Sequence, residues 1–347
     1  IEDNVAELIS ATDSVLTYGN INVTAKNSAN AIDGAALNAF TADIDFDVAD
    51  TAINLADQVD GTNGAIGSLD DAANIEVQSG QAVDVQDATA IQGISGYTGA
   101  GDLDIEDFAA ALISAGDPVL NQAGVDHIKA SDSSVLANIG AQLNSFTADI
   151  EFDVIDTAGN IATHAGNLGE ADEVLVSGGD VLVSQAESIQ SLSGYDDAFS
   201  TFSITDNSAA VISATDSVLT DGNIHVEVNN TVGASDGAIL NAFTADIDFT
   251  VSDDAADIAA EVMGASNAAT DLDDAEVVIV ESGAAVSAAE AEAIQGITGY
   301  VGTMSDIDIT DDAAALISAG DAVLNVTGVD TVTVNAAGTG SAVTAQE

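Results

Sequence analysis

The chain contains no cysteine, no tryptophan and no arginine, only two lysines, Lys26 and Lys129, and a single proline, Pro118. Without cysteine there is neither a disulfide nor a thiolate metal site, so packing, hydrogen bonds or oxygen-ligated cations must hold the fold. Paired carboxylates recur throughout, and a glycosidase acid and base would need one pair in an unrepeated context with an aromatic sugar platform, for which there is no tryptophan. Motifs of the GxSxG, Walker and dinucleotide types are also missing. No apolar run is long enough to span a membrane, which argues against direct membrane insertion.

What is abundant is acid. Against the two lysines stand 59 Asp and Glu, giving a formal charge of −57 that no set of internal salt bridges can balance. Solvent counterions or bound cations must carry the difference. Nucleic acid and anionic membrane surfaces are excluded as direct partners by like charge. Charge of this size with few apolar residues would mean disorder, but 47% of the chain is hydrophobic and those residues recur in register, so the chain is expected to fold.

The recurrence is nested. ISATDSVLT at Ile9 to Thr17 returns at Ile212 to Thr220, LNAFTADIDF at Leu37 to Phe46 returns at Leu240 to Phe249, and AIQGI-x-GY at Ala90 to Tyr97 returns at Ala293 to Tyr300. Weaker echoes at about half that distance include Asp107-FAAALISAGDPVL and Ser145-FTADIEFDVIDTAGNIA. Self-similarity of this kind marks a repeat architecture. Two alternating unit types, over about 1–43, 44–102, 103–149, 150–201, 202–246, 247–306 and 307–347, read as one continuous array. IEDNVAELIS at the start matches the middle of LDIEDFAAALIS at Leu103 to Ser114, and Val334 to Glu347 stops where a helix like Val286-SAAEAEAIQ would begin. The expectation is a segment of a longer repetitive polypeptide.

Each unit reads as strand, helix, strand, helix. Ile44-DFDV alternates apolar Ile44, Phe46 and Val48 with Asp45 and Asp47, the period of a strand with one buried face. Asp50-TAINLADQV then has helical spacing, with Asp50 as candidate N-cap and Asp156 and Asp206 in matching places. Asn74-IEV is a second strand, and Asp87-ATAIQGI a second helix ending at Gly96-Tyr97. Ser184-QAE187 and Ser287-AAE290 fit the capping box. Short strands joined by short helices favour parallel pairing through right-handed crossovers. The predicted fold is an α/β solenoid of stacked strand–helix coils with a parallel sheet face, a parallel β-helix being the alternative. Phe40, Phe146 and Phe243 are the expected larger core fillers, and the exposed ends of such an array favour end-to-end self-association.

Asp-x-Asp marks the strand entrances: Asp43-I-Asp45-F-Asp47, Asp149-I-Glu151-F-Asp153, Asp246-I-Asp248, Asp306-I-Asp308 and Asp102-L-Asp104. Residues two apart on a strand share a face, so stacked strands would set acid over acid. Ca²⁺, which takes six to eight oxygen ligands, would turn that repulsion into a crosslink. Asp43, Asp45, Asp47, Asp149, Glu151, Asp153, Asp246, Asp248, Asp306 and Asp308 are therefore the candidate Ca²⁺ ladder, against the alternative of solvated, screened acids. No segment matches the EF-hand loop, and Ser177-GGDVLVS only approaches a glycine-rich calcium nonapeptide.

Catalytic residues are not indicated. His127 and His225 share a column with Asn22 and Thr331, which reads as an outward strand position, and His164 stands alone on a helix. Tyr97, Tyr195 and Tyr300 repeat in one helix-ending slot and read as structural plugs.

Val48-ADTAINLA, Val154-IDTAGNIA and Val251-SDDAADIA, each followed by an I/V-x-V strand and an A-x-A-x-x-I helix, resemble the degenerate repeats of very large secreted bacterial surface proteins. The resemblance covers essentially the whole chain. It implies an acidic, Cys-free protein exported by type I secretion, stabilised by external Ca²⁺, and placed outside the cell or at the bacterial surface. The expected role is non-enzymatic: a filament, surface layer or biofilm matrix element. The alternative is an adhesin-like module binding glycan or a partner protein through cation bridges. A solenoid enzyme such as a polysaccharide lyase would need one non-repeated cleft.

Overall fold

The computed structural model describes residues 1–59, 68–264 and 272–335. Within them the protein is mixed α/β, with short parallel sheets and short helices. The chain divides into two compact units: Ile1–Asp156 with Thr163–Val174 and Leu192–Tyr195, and Thr157–Ala162 with Leu175–Ser191 and Asp196–Glu347. The helix expected after Val334 lies outside the described residues.

In the first unit, strands Glu2–Asp3, Val23–Ala25 and Ile44–Asp45 form one parallel sheet. Asp47–Thr51, Asn74–Gln78 and Tyr97–Gly101 form another, and Leu103–Asp107 pairs with Val125–Ala130. In the second unit, Thr201–Asp206, Asn223–Val228 and Ile247–Asp248 lie side by side. Thr250–Asp254 pairs with Val277–Glu281, and Ile307–Asp311 with Val329–Val334. Each of these pairs is parallel, as short strands returned by helical crossovers require.

The alternation expected at the strand entrances is present. Ile44, Phe46 and Val48 are buried while Asp43, Asp45 and Asp47 are exposed. Phe152 and Phe249 repeat the placement of Phe46, and these phenylalanines, not Phe40, Phe146 and Phe243, fill the core. The latter three are half-buried because each follows the end of a helix, whereas the strand phenylalanines point inward beneath it. Room for the strand phenylalanines comes from glycine: a Cβ on Gly34, Gly140 or Gly237, all within helices, would sit 2.7, 2.9 and 2.8 Å from a methyl of Val48, Val154 and Val251 respectively. Helical glycine costs about 1 kcal/mol relative to alanine, and here it permits close approach of helix and strand.

The helix following the first strand of alternate units is broken. Ala109–Ala115 gives way to Asp117–Leu120 at Gly116, whose φ of 63° lies in the left-handed region. Pro118 occupies the first turn of the second piece, where a missing N–H removes no helical bond.

Candidate functional site

Among the described residues, two settings of the carboxylates stand in contrast. The first is the strand ends, where nine Asp or Asn side chains accept a hydrogen bond from the first N–H of a helix that precedes them in the chain by 19 to 23 residues. Asn27, Asp50, Asp107, Asp132 and Asp156 do so for Val5, Ala31, Val85, Ala109 and Ala137. In the second unit Asp206, Asn230, Asp253 and Asp311 do so for Val183, Ser208, Ala234 and Ala288. The first N–H groups of a helix have no partner inside it, so each such bond satisfies a donor that burial would otherwise strand. The second carboxylate oxygen commonly takes the next backbone N–H of its own strand end, as Asp50 does from Thr51 at 2.8 Å and Asp206 from Asn207 at 2.8 Å.

This corrects the local reading of the caps. Asp50, Asp156 and Asp206 cap the preceding helix rather than the one they introduce, because the strand runs two or three residues further than its alternation suggested. Asn207 caps the helix after Asp206. Asp84, three residues before Asp87, caps Val85–Gln92. The capping box at Ser287 and Glu290 forms in full. At the sister position the helix starts earlier, at Val183, so Ser184 lies inside it, and Gln185 alone returns a bond to the Leu182 N–H.

Three further clamps use the most faithfully repeated phrases. Asp13, Asp117 and Asp216, from the ISATD and ISAGD segments, each hold both the N–H and the hydroxyl of the FTAD threonine, Thr41, Thr147 and Thr244. Asn38, Asn144 and Asn241 accept from the backbone of Asp71, Glu170 and Asp274 at 2.8, 2.9 and 3.0 Å. Gln92, Gln190 and Gln295 donate to the carbonyls of Val119, Val218 and Val323 at 2.9, 3.0 and 3.1 Å. Tyr97 and Tyr300 donate their hydroxyls to the carbonyls of Ala123 and Thr327, in keeping with plugs, and burial raises both phenol pKa values.

The second setting is the strand faces, where the candidate ladder lies. Asp306 and Asp308 come together with Asp330, each offering a carboxylate oxygen within 4.8 Å of the others, so the three could hold a metal ion. Thr331 donates its hydroxyl to Asp308. The sister positions are Asp102, Asp104 and Asp126, with His127 in place of Thr331; partial burial raises the Asp104 carboxyl, His127 opposes the rise, and Asp126 and Asp102 add to it. Asp149, Glu151 and Asp153 surround Asp172, whose carboxyl is raised by burial first and then by Glu151 and Asp153. Asp47 accepts from Asn74 at 2.7 Å, and Asp43, Asp45 and Asp246 face solvent.

Two ladder members pair with histidine instead. Glu151 lies 3.3 Å from His127, and Asp248 lies 3.4 Å from His225. Both histidines are exposed and sit in the shared outward column. His164 ends helix Ala158–His164. Asp330 and Asp172 were not among the ladder candidates, although Gly-Val-Asp at Gly124 to Asp126 and again at Gly328 to Asp330 is the signal that would have found the former.

No protein-family model, curated protein or solved structure matches this chain. Among the described residues, no helix is long and apolar enough to cross a membrane.

Proposed function

We propose that this chain is a structural, non-enzymatic extracellular repeat protein that forms or extends a filament, surface layer or matrix at a bacterial cell surface. Its strand–helix segments stack as an α/β solenoid, and cations, Ca²⁺ first among them, neutralise its acidic face. One observation carries this reading. The residues repeated most faithfully, the Asp of ISATD, the Thr of FTAD, the Asn of LNAF and the Gln of AIQG, are spent on binding one segment to another. Repetition in an enzyme would instead leave one copy divergent around a cleft.

Electron microscopy of the native material tests the proposal. Ordered fibres or sheets with a spacing tied to the unit length are expected, and dispersed particles retained on a glycan column would overturn it. The adhesin-like alternative draws on the Asp306, Asp308 and Asp330 cluster, which would bridge a glycan through a cation. Melting in Ca²⁺ against monovalent salt at matched ionic strength separates specific binding from screening, since a ligand bound only by the folded state raises stability by mass action.

A further inference from the structure

Two helices of the first unit, Ala109–Ala115 and Ala137–Leu143, pack side by side, and the residue that opens each departs from its sister copies. Ahead of the helices that match Ala109–Ala115 stand Asn4, Asn207 and Asp312, and ahead of those that match Ala137–Leu143 stand Asn30 and Gly233. Here the places are taken by Phe108 and Leu136, which are 63% and 56% exposed. Neither side chain can supply the oxygen with which Asn30 and Asn207 satisfy the N–H groups of Asp33 and Ala210. An apolar residue at such a place gives up a cap and gains no burial, so the fold does not account for it.

A third apolar side chain joins them. Val135 and Val154 form a parallel bridge with both side chains buried, and the Ile155 N–H reaches the Val135 carbonyl at 3.0 Å, so the next residues, Leu136 and Ile155, lie side by side and face outward. Ile155 is 39% exposed where the sister copies have Ala49 and Ser252. Charge is missing from the same place. In a chain with 59 Asp and Glu among 347 residues, the stretches 108–116 and 133–148 contain no charged residue, whereas the helices that match Ala137–Leu143 carry Asp33 and Asp236. Asp107, Asp117 and Asp132, which border these stretches, are turned onto the N–H groups of Val85, Thr147 and Ala109.

We propose that this neutral face, headed by Phe108, Leu136 and Ile155, binds the same face of a second copy of the chain. The occupant follows from charge. A cationic partner is attracted to the acidic remainder of a surface with net charge −57 and gains nothing from an uncharged patch. A second copy carries the same −57 and meets least repulsion where both surfaces are neutral. Because one patch meets its own image, the contact is isologous and closes at the dimer. Three anchoring side chains make a small interface, so the dimer is weak and reversible, and it tightens with salt as the remaining repulsion is screened. The proposal rests on the structural reading above and locates one contact by which copies pair.

Sedimentation equilibrium of the full chain over a range of protein and NaCl concentrations is the test. The wild-type chain is expected to lie between monomer and dimer, with the dimer share rising with both. Phe108→Asn combined with Leu136→Asn brings in the residue type found at Asn4, Asn207 and Asn30, so both helices gain a cap and the melting temperature should not fall. That double variant is expected to weaken the dimer roughly tenfold or more, since a few anchoring side chains carry most of a small contact. Ile32→Asn removes a side chain that is 69% exposed elsewhere in the same unit and should leave association unchanged. A wild-type chain that stays monomeric at every salt concentration leaves the face to a different occupant and overturns the proposal, as does a dimer that the double variant leaves intact. Either result leaves the structural reading to the microscopy, where fibres built by a chain without this dimer would show that the copies meet elsewhere.

Discussion

The acids at the strand ends and the acids on the strand faces are the same residue types a few positions apart, yet they do opposite work. Asp206 is buried and accepts from Val183, from its own neighbour Asn207, and from the Asn207 side chain. Asp45, at a strand entrance, faces solvent. One set converts negative charge into backbone satisfaction, and the other leaves it facing solvent. Composition records only their sum.

The comparison breaks most visibly at the strand ends. Asp206→Ala leaves the Val183 N–H without its acceptor in a buried setting, which costs about 2 to 3 kcal/mol for a lost charge-assisted bond with an unsatisfied donor. Because stability in a repeat protein is a sum over neighbouring segments, the loss is local. Hydrogen exchange at the Val183 amide is the sensitive readout, with a rise of roughly a hundredfold expected if opening tracks the lost free energy. Protection equal to wild type would mean that the clamp contributes nothing.

A smaller effect is expected at the helical glycines. Gly140→Ala gains up to about 1 kcal/mol in helix propensity but drives a methyl to 2.9 Å from Val154 and 3.0 Å from Phe152. Overpacking of this kind costs about 1 to 3 kcal/mol, so a net loss near 1 kcal/mol is expected in urea unfolding. Gly159→Ala, where a Cβ meets nothing within 4 Å, is the control and should not lose stability.

Part of this architecture is legible in the amino-acid sequence. The I-x-F alternation at Ile44 and Ile150 sets the buried face because a period of two is local, but not the strand bounds. Ile44–Asp45 and Asp47–Thr51 are two strands in different sheets, and after Ile150 the strand is Asp153–Asp156. Parallel pairing follows from short helical returns. The clamps were not readable in the same way. An N-cap signal spans three or four residues, so Asp50 looked like the cap of the helix beside it, whereas its partner Ala31 lies 19 residues earlier. Nothing in local spacing encodes that distance; only the repetition of the Asp, Thr, Asn and Gln positions did, without saying what they touched. Phe40 was misplaced for a related reason, since apolar character does not reveal whether a residue ends a helix or lies beneath it. For the ladder, the sequence brought Asp306 and Asp308 together but not Asp330, whose contact crosses from one strand to the next.

Acid titration separates the carboxylates further. The hydrogen bond from the Thr244 hydroxyl holds the Asp216 carboxyl below the usual carboxylate range. A depressed folded-state value means that this contribution to stability is present above the unfolded carboxyl range and is lost as pH falls through the folded value. Asp172 has the opposite sign: its raised carboxyl favours the folded state while protonated, and that advantage is lost as pH rises through the raised value. Thr244→Val should therefore move the Asp216 titration upward by carbon-detected NMR and leave Asp172 where it is. Unchanged titration of Asp216 would remove the hydroxyl as the cause.

The smallest effect is the one that sharpens the contrast most. Asp45→Asn removes a negative charge from a solvent-facing strand position without touching a clamp, and exposed substitutions of this kind stay within about 0.5 kcal/mol. Its sign is the informative part. If the strand-face acids only repel one another, the variant is slightly more stable than wild type at low salt, and the gain fades as screening grows. If Asp45 instead ligates Ca²⁺, the gain reverses when Ca²⁺ is added, because wild type then holds a ligand that the variant binds less well. A variant less stable than wild type in both conditions would place Asp45 among the clamps, and the division between strand ends and strand faces would no longer hold at that position.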